Sequence, residues 1–196
     1  MAIRTRFTYS KRGGACFVPH IALAQLFSRS AARAGLTMAM TEGFSPRAKI
    51  SFAPELPAGV VALNEPVDMF FEKVPGNIVA LMNASLPEGF TISQASFPSD
   101  GSPNLGKLCK SAEYLLRRTD GKSLAQDTLS FWGDFVTASG NLEGWFRIII
   151  ADPAQNPIGG LVRHLVNQKI IAGWHEINAV RTAIGLYNPE KNIVTI

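Results

Sequence analysis

The chain has 196 residues, 46% of them hydrophobic, which is enough to bury one good core or two small ones and excludes an intrinsically disordered protein. No segment approaches the roughly 18 apolar residues that a membrane span needs, so we expect a cytoplasmic protein without a membrane partner. The two cysteines, Cys16 and Cys109, lie far apart in the sequence, which predicts reduced thiols rather than a disulfide framework.

Positive charge is concentrated at the start of the chain. The first 49 residues carry eight Lys and Arg against one acid, a net charge of +7, so the rest of the chain must carry −3 to give the overall +4. A local field of this kind recruits phosphate-bearing ligands. It therefore favours an anionic partner, and tRNA or rRNA is the first candidate.

The first half of the chain predicts the element order βαββαβ. Apolar and basic residues alternate along 3–9, which indicates a strand with Arg4 and Arg6 facing outward. A helix begins at Pro19 or His20 and ends at Gly35, with apolar residues on one face and arginines on the other. The remaining elements are strands near 50–53, 67–73 and 91–97 and a helix over 75–86.

The second half predicts the same order after a linker over 99–110, which is rich in Pro, Gly and Ser. Its predicted elements are a strand over 113–118, a helix over 123–132, a hairpin of 135–139 and 145–151 about Gly140-Asn141, a helix over 158–167 and a strand over 177–187. We therefore expect an α+β protein of two tandem ferredoxin-like lobes with antiparallel sheets set side by side, a basic lobe over 1–98 and a second lobe over 111–196.

Four spaced segments of the first half carry a resemblance to a known family. They are 7–13 (FTYSKRG), 19–21 (PHI), 30–36 (SAARAGL) and 43–54 (GFSPRAKISFAP). The chain resembles the radical SAM-linked domain family of unknown function. In that family an F-S-K-x-G turn, an S-H-x-D-L helix start, an R-R-A-G-L helix end and a G-F-N-P-x-P-x-x-S-F-A-x-P-L-P-x-G segment occur in this order.

The resemblance implies a domain that is fused to cobalamin-binding radical SAM proteins or encoded beside them, so a radical SAM protein is the expected partner. It implies no established activity. Two cysteines cannot supply the three thiolates of a radical SAM cluster, so the chain is not itself the radical enzyme. Cys16 and His20 have no second pair at a useful spacing, and we expect neither a metal nor another cofactor.

The chain departs from the family pattern at two places. It has Pro19 and Ala22 where the family has Ser and Asp around the histidine, so a carboxylate that could orient His20 is missing. It also has Arg47 in a segment where the family often has Asn-Pro-His-Pro. A fixed cation in place of a titratable ring favours anion contact over proton transfer.

Ten residues of the first half are candidates for binding an anion or RNA: Arg4, Arg6, Arg12, His20, Arg29, Arg33, Phe44, Ser45, Arg47 and Lys49. His20 lies at a helix N-terminus, where free N–H groups hold anions and the dipole lowers the imidazole pKa; its alternative role is to cap the helix. Arg47 and Lys49 adjoin a Gly/Ser/Pro loop that presents charge to phosphate, or else is simply solvated. Phe44 is the candidate for base stacking, because Phe7 and Tyr9 are expected to face the core.

Three functions are consistent with these residues. The first is an accessory protein without catalysis that binds RNA or another anionic substrate for a radical SAM partner. The second is a metal-independent RNA-processing enzyme with His20 as general acid or base and Arg47 or Lys49 stabilising phosphate charge. The third is a protein-interaction subunit of a radical SAM enzyme.

Overall fold

The computed structural model describes residues 2–124 and 135–195 and shows a mixed α+β fold built on a large, mostly antiparallel sheet. Its strands are β1 (Ile3–Lys11), β2 (Ile50–Phe52), β3 (Val61–Phe71), β4 (Phe90–Ser96), β5 (Ser111–Arg118), β6 (Val136–Leu142), β7 (Trp145–Ala151), β8 (Ile177–Asn188) and β9 (Ile193–Thr195). The α-helices of the described residues are α1 (His20–Arg33), α2 (Ile78–Ser85), α3 (Leu105–Leu108) and α4 (Ile158–Asn167), and 3₁₀ helices cover Gly13–Phe17 and Trp174–Glu176.

The strands lie in the order β4-β1-β3-β8-β5-β7-β6, with β2 paired to β3 and β9 paired to β8. All of these pairs are antiparallel except β3–β8, which is parallel and extends over only Val61 with Val180 and Ala62 with Arg181. We call this short junction the seam. It joins the sheet of the first half to the sheet of the second.

The first core lies between one face of β1, β3 and β4 and the helices α1 and α2. Phe7 and Tyr9 are buried on that face, and Leu23 and Phe27 of α1 pack against it. Because successive side chains of a strand point to opposite faces, Arg4 and Arg6 lie on the other face of the sheet. The prediction that Phe7 and Tyr9 face the core is confirmed. Arg4 and Arg6 lie on the other face as predicted, but their side chains are only 16% and 11% exposed.

The second core is formed by β5, β7 and β8 with α4, and Tyr114, Ile148, Leu161 and Leu165 are among its most deeply buried residues. The apolar spacing of α4 is that of a one-sided helix, and its predicted extent is confirmed. The predicted helix over 123–132 falls largely outside the described residues. No helix in the described part of the chain combines the length and apolar character that a membrane crossing requires.

The hairpin of the second half turns at a different place from the predicted one. Gly140 and Asn141 lie within β6, paired with Arg147 and Phe146, whereas the turn is made by Glu143 and Gly144. Both turn residues have positive φ, 47° and 80°, as the favoured two-residue hairpin turn requires. The prediction at Gly140-Asn141 was wrong because the sequence offers two glycine-containing dipeptides and only the strand register decides between them.

The segment predicted as a linker packs against the sheet rather than extending away from it. It contains α3, whose Leu105 is fully buried, and Asn104 caps that helix through its side chain. The carbonyl oxygens of Ser102 and Pro103 accept hydrogen bonds from Arg4. Residues 99–110 are thus tied to the first strand of the chain.

Candidate functional site

A cluster of buried polar side chains lies at the seam. Arg181 of β8 forms a bidentate ion pair with Glu65 of β3, with nitrogen–oxygen distances of 2.7 and 2.5 Å, and both side chains are almost fully buried. Arg181 also donates to the hydroxyl of Tyr114 and to the backbone carbonyls of Pro54 and Glu55. We call Glu65, Arg181, Tyr114, Tyr9 and Lys11 the seam cluster.

The environment of the seam cluster keeps its phenols protonated. Burial raises the pKa of Tyr9, and the nearby carboxylate of Glu65 adds to the effect. Burial also raises the pKa of Tyr114, while Arg181 opposes the shift. Arg181 donates five hydrogen bonds in all, so its guanidinium has no N–H group left for a ligand.

Lys11 is the fully buried cation of β1. Its ammonium donates to the carbonyl of Val18 at 3.2 Å, and no carboxylate of the described residues lies within 4 Å. Burial lowers its pKa, and Glu65 partly compensates. The side chain therefore ties β1 to the chain just before α1 instead of offering a charge to solvent.

His20 lies at the first position of α1, half-buried against the ring of Phe52, with 5.6 Å between the ring centroids. Burial lowers the pKa of His20, and Glu55 is the largest opposing influence. The imidazole makes no hydrogen bond to another described residue, so the alternative role of a helix cap is not what the geometry shows. Neither Arg47 nor Lys49 is among the groups around it.

The other face of the sheet holds three of the predicted binding residues, Arg4, Arg6 and Lys49. Asp68 of β3 accepts hydrogen bonds from both Arg4 and Arg6, at distances between 2.5 and 3.0 Å. Lys49 lies over the ring of Phe70, 4.5 Å from its centroid, and Phe70 alternates with the buried Phe71. These cations are therefore separated from His20 by the sheet.

Acids from later in the chain reduce the basic character of the first half. Residues 1–98 contain nine Lys and Arg against six Asp and Glu, a net charge of only +3. Arg33 is exposed but donates to the carbonyl of Ser85 at 2.6 Å and to the hydroxyl of Ser30. Arg12, Arg29 and Arg47 are exposed and have no side-chain hydrogen bond to any described residue.

A groove of about 820 Å³ runs along the outer side of α1. Its floor is formed by α1 and its walls by the segments 36–40 and 46–48, so that the lining is mostly apolar. The lining residues are Ile21, Ala24, Gln25, Ser28, Ala32, Leu36, Thr37, Met38, Met40, Pro46, Arg47 and Ala48. We call this feature the α1 groove, and its volume is within the range of natural ligand pockets.

Several large apolar side chains around the α1 groove are exposed. Ile21, which is 89% exposed, and Met40, which is 54% exposed, both line the groove. Phe44 is fully exposed on the loop that leads to Arg47. Exposed apolar residues beside a groove mark a candidate interaction surface.

The ten predicted binding residues thus lie in four places. His20 borders the seam cluster, Arg4, Arg6 and Lys49 lie on the far face of the sheet, and Arg47 lines the α1 groove. The others are exposed at the surface, namely Arg12, Arg29, Arg33, Phe44 and Ser45. The structure does not bring His20, Arg47 and Lys49 to one concave surface, and their role in anion binding stays a prediction.

The sequence reasoning missed the partners in the seam cluster. Glu65 and Arg181 each interrupt an apolar strand, which is the pattern of a buried ion pair, but nothing in the sequence pairs one with the other. Lys11 is buried although it lies beyond the predicted strand of 3–9 and after a β-bulge at Tyr9, so the alternation along that strand did not indicate its burial.

The thiols are both free and both buried. Burial raises the pKa of Cys109 to about 12 and also raises that of Cys16, so both are protonated at neutral pH. Within residues 2–124 and 135–195, no three His, Cys, Asp or Glu side chains come together as they would around a metal ion.

The sequence pattern of a family described as an uncharacterized protein conserved in bacteria (DUF2344) matches residues 4–141, well over half of the chain. The match covers the first half from residue 4 onward, including the α1 groove and all ten predicted binding residues. No curated protein matches the chain.

Proposed function

Because the chain belongs to the uncharacterised bacterial family DUF2344, its function must be argued from its own surface, and we propose that it is an accessory protein that docks a protein partner in the α1 groove. One observation carries the proposal. The groove is lined by apolar side chains that the fold leaves exposed, Ile21 and Met40 above all. Exposed apolar area beside a preformed groove is a property of docking surfaces.

We propose a radical SAM protein as the partner. The support is the series of motifs over 7–54, which resembles a domain found fused to, or encoded beside, such proteins. Six of the twelve residues that line the α1 groove lie within these motif segments, namely Ile21, Ala32, Leu36, Pro46, Arg47 and Ala48. The surface proposed for docking is thus built in part by the segments that carry the resemblance.

The experiment is co-purification, with nuclease added, with a cobalamin-binding radical SAM protein from the same organism, which is the partner that we propose. Ile21→Asp places a carboxylate at the second residue of α1, where it interacts favourably with the helix dipole, so the variant should fold. We expect it to weaken the complex by about tenfold or more, as the loss of a central apolar contact does. The matched control is Phe97→Asp, which changes an exposed apolar residue that does not line the groove. Equal retention of the partner by wild type and Ile21→Asp would contradict the proposal.

RNA binding is the second candidate, and one observation favours it. Phe44 is fully exposed on a glycine-containing loop close in sequence to the unpaired Arg47, an arrangement suited to stacking a base beside a phosphate. The ion pairs of Arg4 and Arg6 with Asp68 argue for a weaker electrostatic contribution than the sequence suggested. We expect RNA affinity to fall with salt and to fall further in Phe44→Ser; binding insensitive to both would remove this candidate.

For the architecture we propose two ferredoxin-like lobes, over 1–98 and 111–196, joined at the seam. The support is the order of the strands in the sheet, which is β4-β1-β3-β2 in the first half and β8-β5-β7-β6 in the second. When the four strands of each half are numbered along the chain, both orders read 4-1-3-2, which is the order of the ferredoxin-like fold. The first helix of the second lobe would fall on residues outside those described. Expression of residues 1–98 alone tests the division, and a chain with no cooperative unfolding transition would contradict it.

A further inference from the structure

The α1 groove has a shape and a charge that specify its occupant further, an inference that depends on the docking function proposed above. Its floor consists of Ala24, Ser28 and Ala32, which follow one another at intervals of one helical turn along α1. Small side chains at this spacing leave a channel parallel to the helix axis. A second helix can place its own ridge of side chains in such a channel.

The length of the groove fits a short helix. Its α1 lining begins at Ile21 and ends at Ala32, which spans about 17 Å at 1.5 Å per residue, or about three turns of a helix. Ile21 and Met40, which are largely exposed, and the less exposed Met38 and Leu36 supply apolar contacts along this length. An occupant with apolar residues at positions i, i+3 or i+4, and i+7 would cover them.

The charge of Arg47 distinguishes among the helices whose shape fits the groove. Arg47 is the single charged residue among those that line the groove, it is exposed, and its guanidinium has no hydrogen bond or ion pair to any described residue. An apolar helix without a countercharge would leave this guanidinium partly desolvated and unpaired, which is unfavourable. A carboxylate on the occupant removes that cost and adds a bidentate contact.

We infer that the α1 groove binds an amphipathic helix of about three turns whose apolar face carries, at its edge, an Asp or Glu that pairs with Arg47. The partner protein supplies this helix. The pairing of this acid with Arg47 fixes the position and direction of the helix. Without it, the apolar walls of the groove would accept a helix in several positions and in both directions.

A display selection tests the inference without knowledge of the partner. One pool presents random residues on the exposed face of a stable helix, the other presents random residues in extended peptides, and both are selected on the full chain. We expect binders from the helical pool alone, with apolar residues at i, i+3 or i+4 and i+7 and an acid at one recurrent position. The same selection on Arg47→Glu should enrich Lys or Arg at that position.

Affinities of one selected helix complete the test. Exchange of its acid for Lys should weaken binding to wild type by about tenfold or more and restore binding to Arg47→Glu. Ala24→Trp, which fills the groove floor from an exposed position, should abolish binding, whereas Arg163→Trp on the exposed side of α4 should not change it.

Four outcomes would overturn the inference. The first is that extended peptides bind, and the second is that helical binders show no recurrent acid. The third is that neither pool yields a peptide whose binding is abolished by Ala24→Trp. The fourth is that the wild-type chain sediments as a dimer and Ala24→Trp dissociates it. If any of these occurs while Ile21→Asp still releases the radical SAM protein, docking in the groove survives and only the helix with its acid is lost. If Ile21→Asp has no effect on that complex, the proposed function fails independently.

Discussion

The seam cluster, which joins the two halves of the chain, and the α1 groove of the first half differ in whether their charged side chains have partners and their apolar side chains are buried. In the seam cluster, Arg181 and Glu65 are buried and every N–H of the guanidinium has an acceptor. In the groove, Arg47 has no partner among the described residues and Ile21 remains largely in solvent. The buried residues of the seam cluster have perturbed pKa values, whereas the residues that line the groove leave a charge and apolar surface without partners among the described residues. The second property is the better indication of binding.

The largest effect should follow from breaking the seam. Arg181→Met removes the cation but leaves the carboxylate of Glu65 buried, so we expect the free energy of unfolding to fall by about 3–5 kcal/mol. Chemical denaturation measures the change. The double variant Arg181→Met with Glu65→Leu should recover most of the loss, and a loss below about 1 kcal/mol in the single variant would show that the cluster is solvated.

The ion pairs on the far face of the sheet should give the next largest effect. Asp68→Ala leaves Arg4 and Arg6 without their common carboxylate, although the carbonyl of Pro103 still accepts from both. Since both side chains also retain some access to solvent, we expect a smaller loss of unfolding free energy, about 2 kcal/mol. The same variant frees two cations on one surface. It should therefore bind RNA more tightly than wild type at low salt, and unchanged affinity would mean that this face takes no part in RNA binding.

A smaller effect should appear in the pH dependence of stability. Because burial holds the pKa of His20 below its usual value, the unfolded chain takes up this proton at a higher pH than the folded chain. The free energy of unfolding should therefore decrease as pH falls below about 6.5, and His20→Gln should reduce that decrease. The exposed His175→Gln serves as the control. Parallel pH profiles for wild type and His20→Gln would place His20 in solvent.

The groove should give the smallest effect on stability. Ile21→Asp changes a residue that contributes little to the folded core, so its free energy of unfolding should stay within about 0.5 kcal/mol of wild type, measured by denaturation. A loss as large as that of Asp68→Ala would show that Ile21 packs within the chain. The contrast between the two regions would then be lost.

Local pattern was sufficient to predict most elements and the inner face of β1. The two-residue alternation placed Phe7 and Tyr9 in the core, and the spacing over 158–167 gave α4 with its observed bounds. Contacts between distant positions were not predictable in this way. The pairing of Arg4 and Arg6 with Asp68 and that of Arg181 with Glu65 cannot be predicted from local sequence patterns, because the partners are far apart in the chain.

The site shows the same limit. Phe44 was predicted to be exposed from its position in a loop, and it is. The net charge of the first 49 residues was a poor guide to the surface, because folding brings Asp68 from outside that segment against Arg4 and Arg6 within it. The groove itself was not predicted, since it arises from the distance between α1 and the 36–48 segment rather than from any motif.

The seam also has a consequence during synthesis. Glu65 and Arg181 are 116 positions apart, and a bacterial ribosome that adds about 5–20 residues per second makes the carboxylate about 6–23 s before its partner. During this interval the elements from α2 to α4 are made, and the edge of β3 that later receives β8 has no neighbour there. A charged side chain pointing inward at an open edge discourages pairing with the wrong strand. Glu65 would then protect the nascent chain from aggregation until Arg181 arrives to neutralise it.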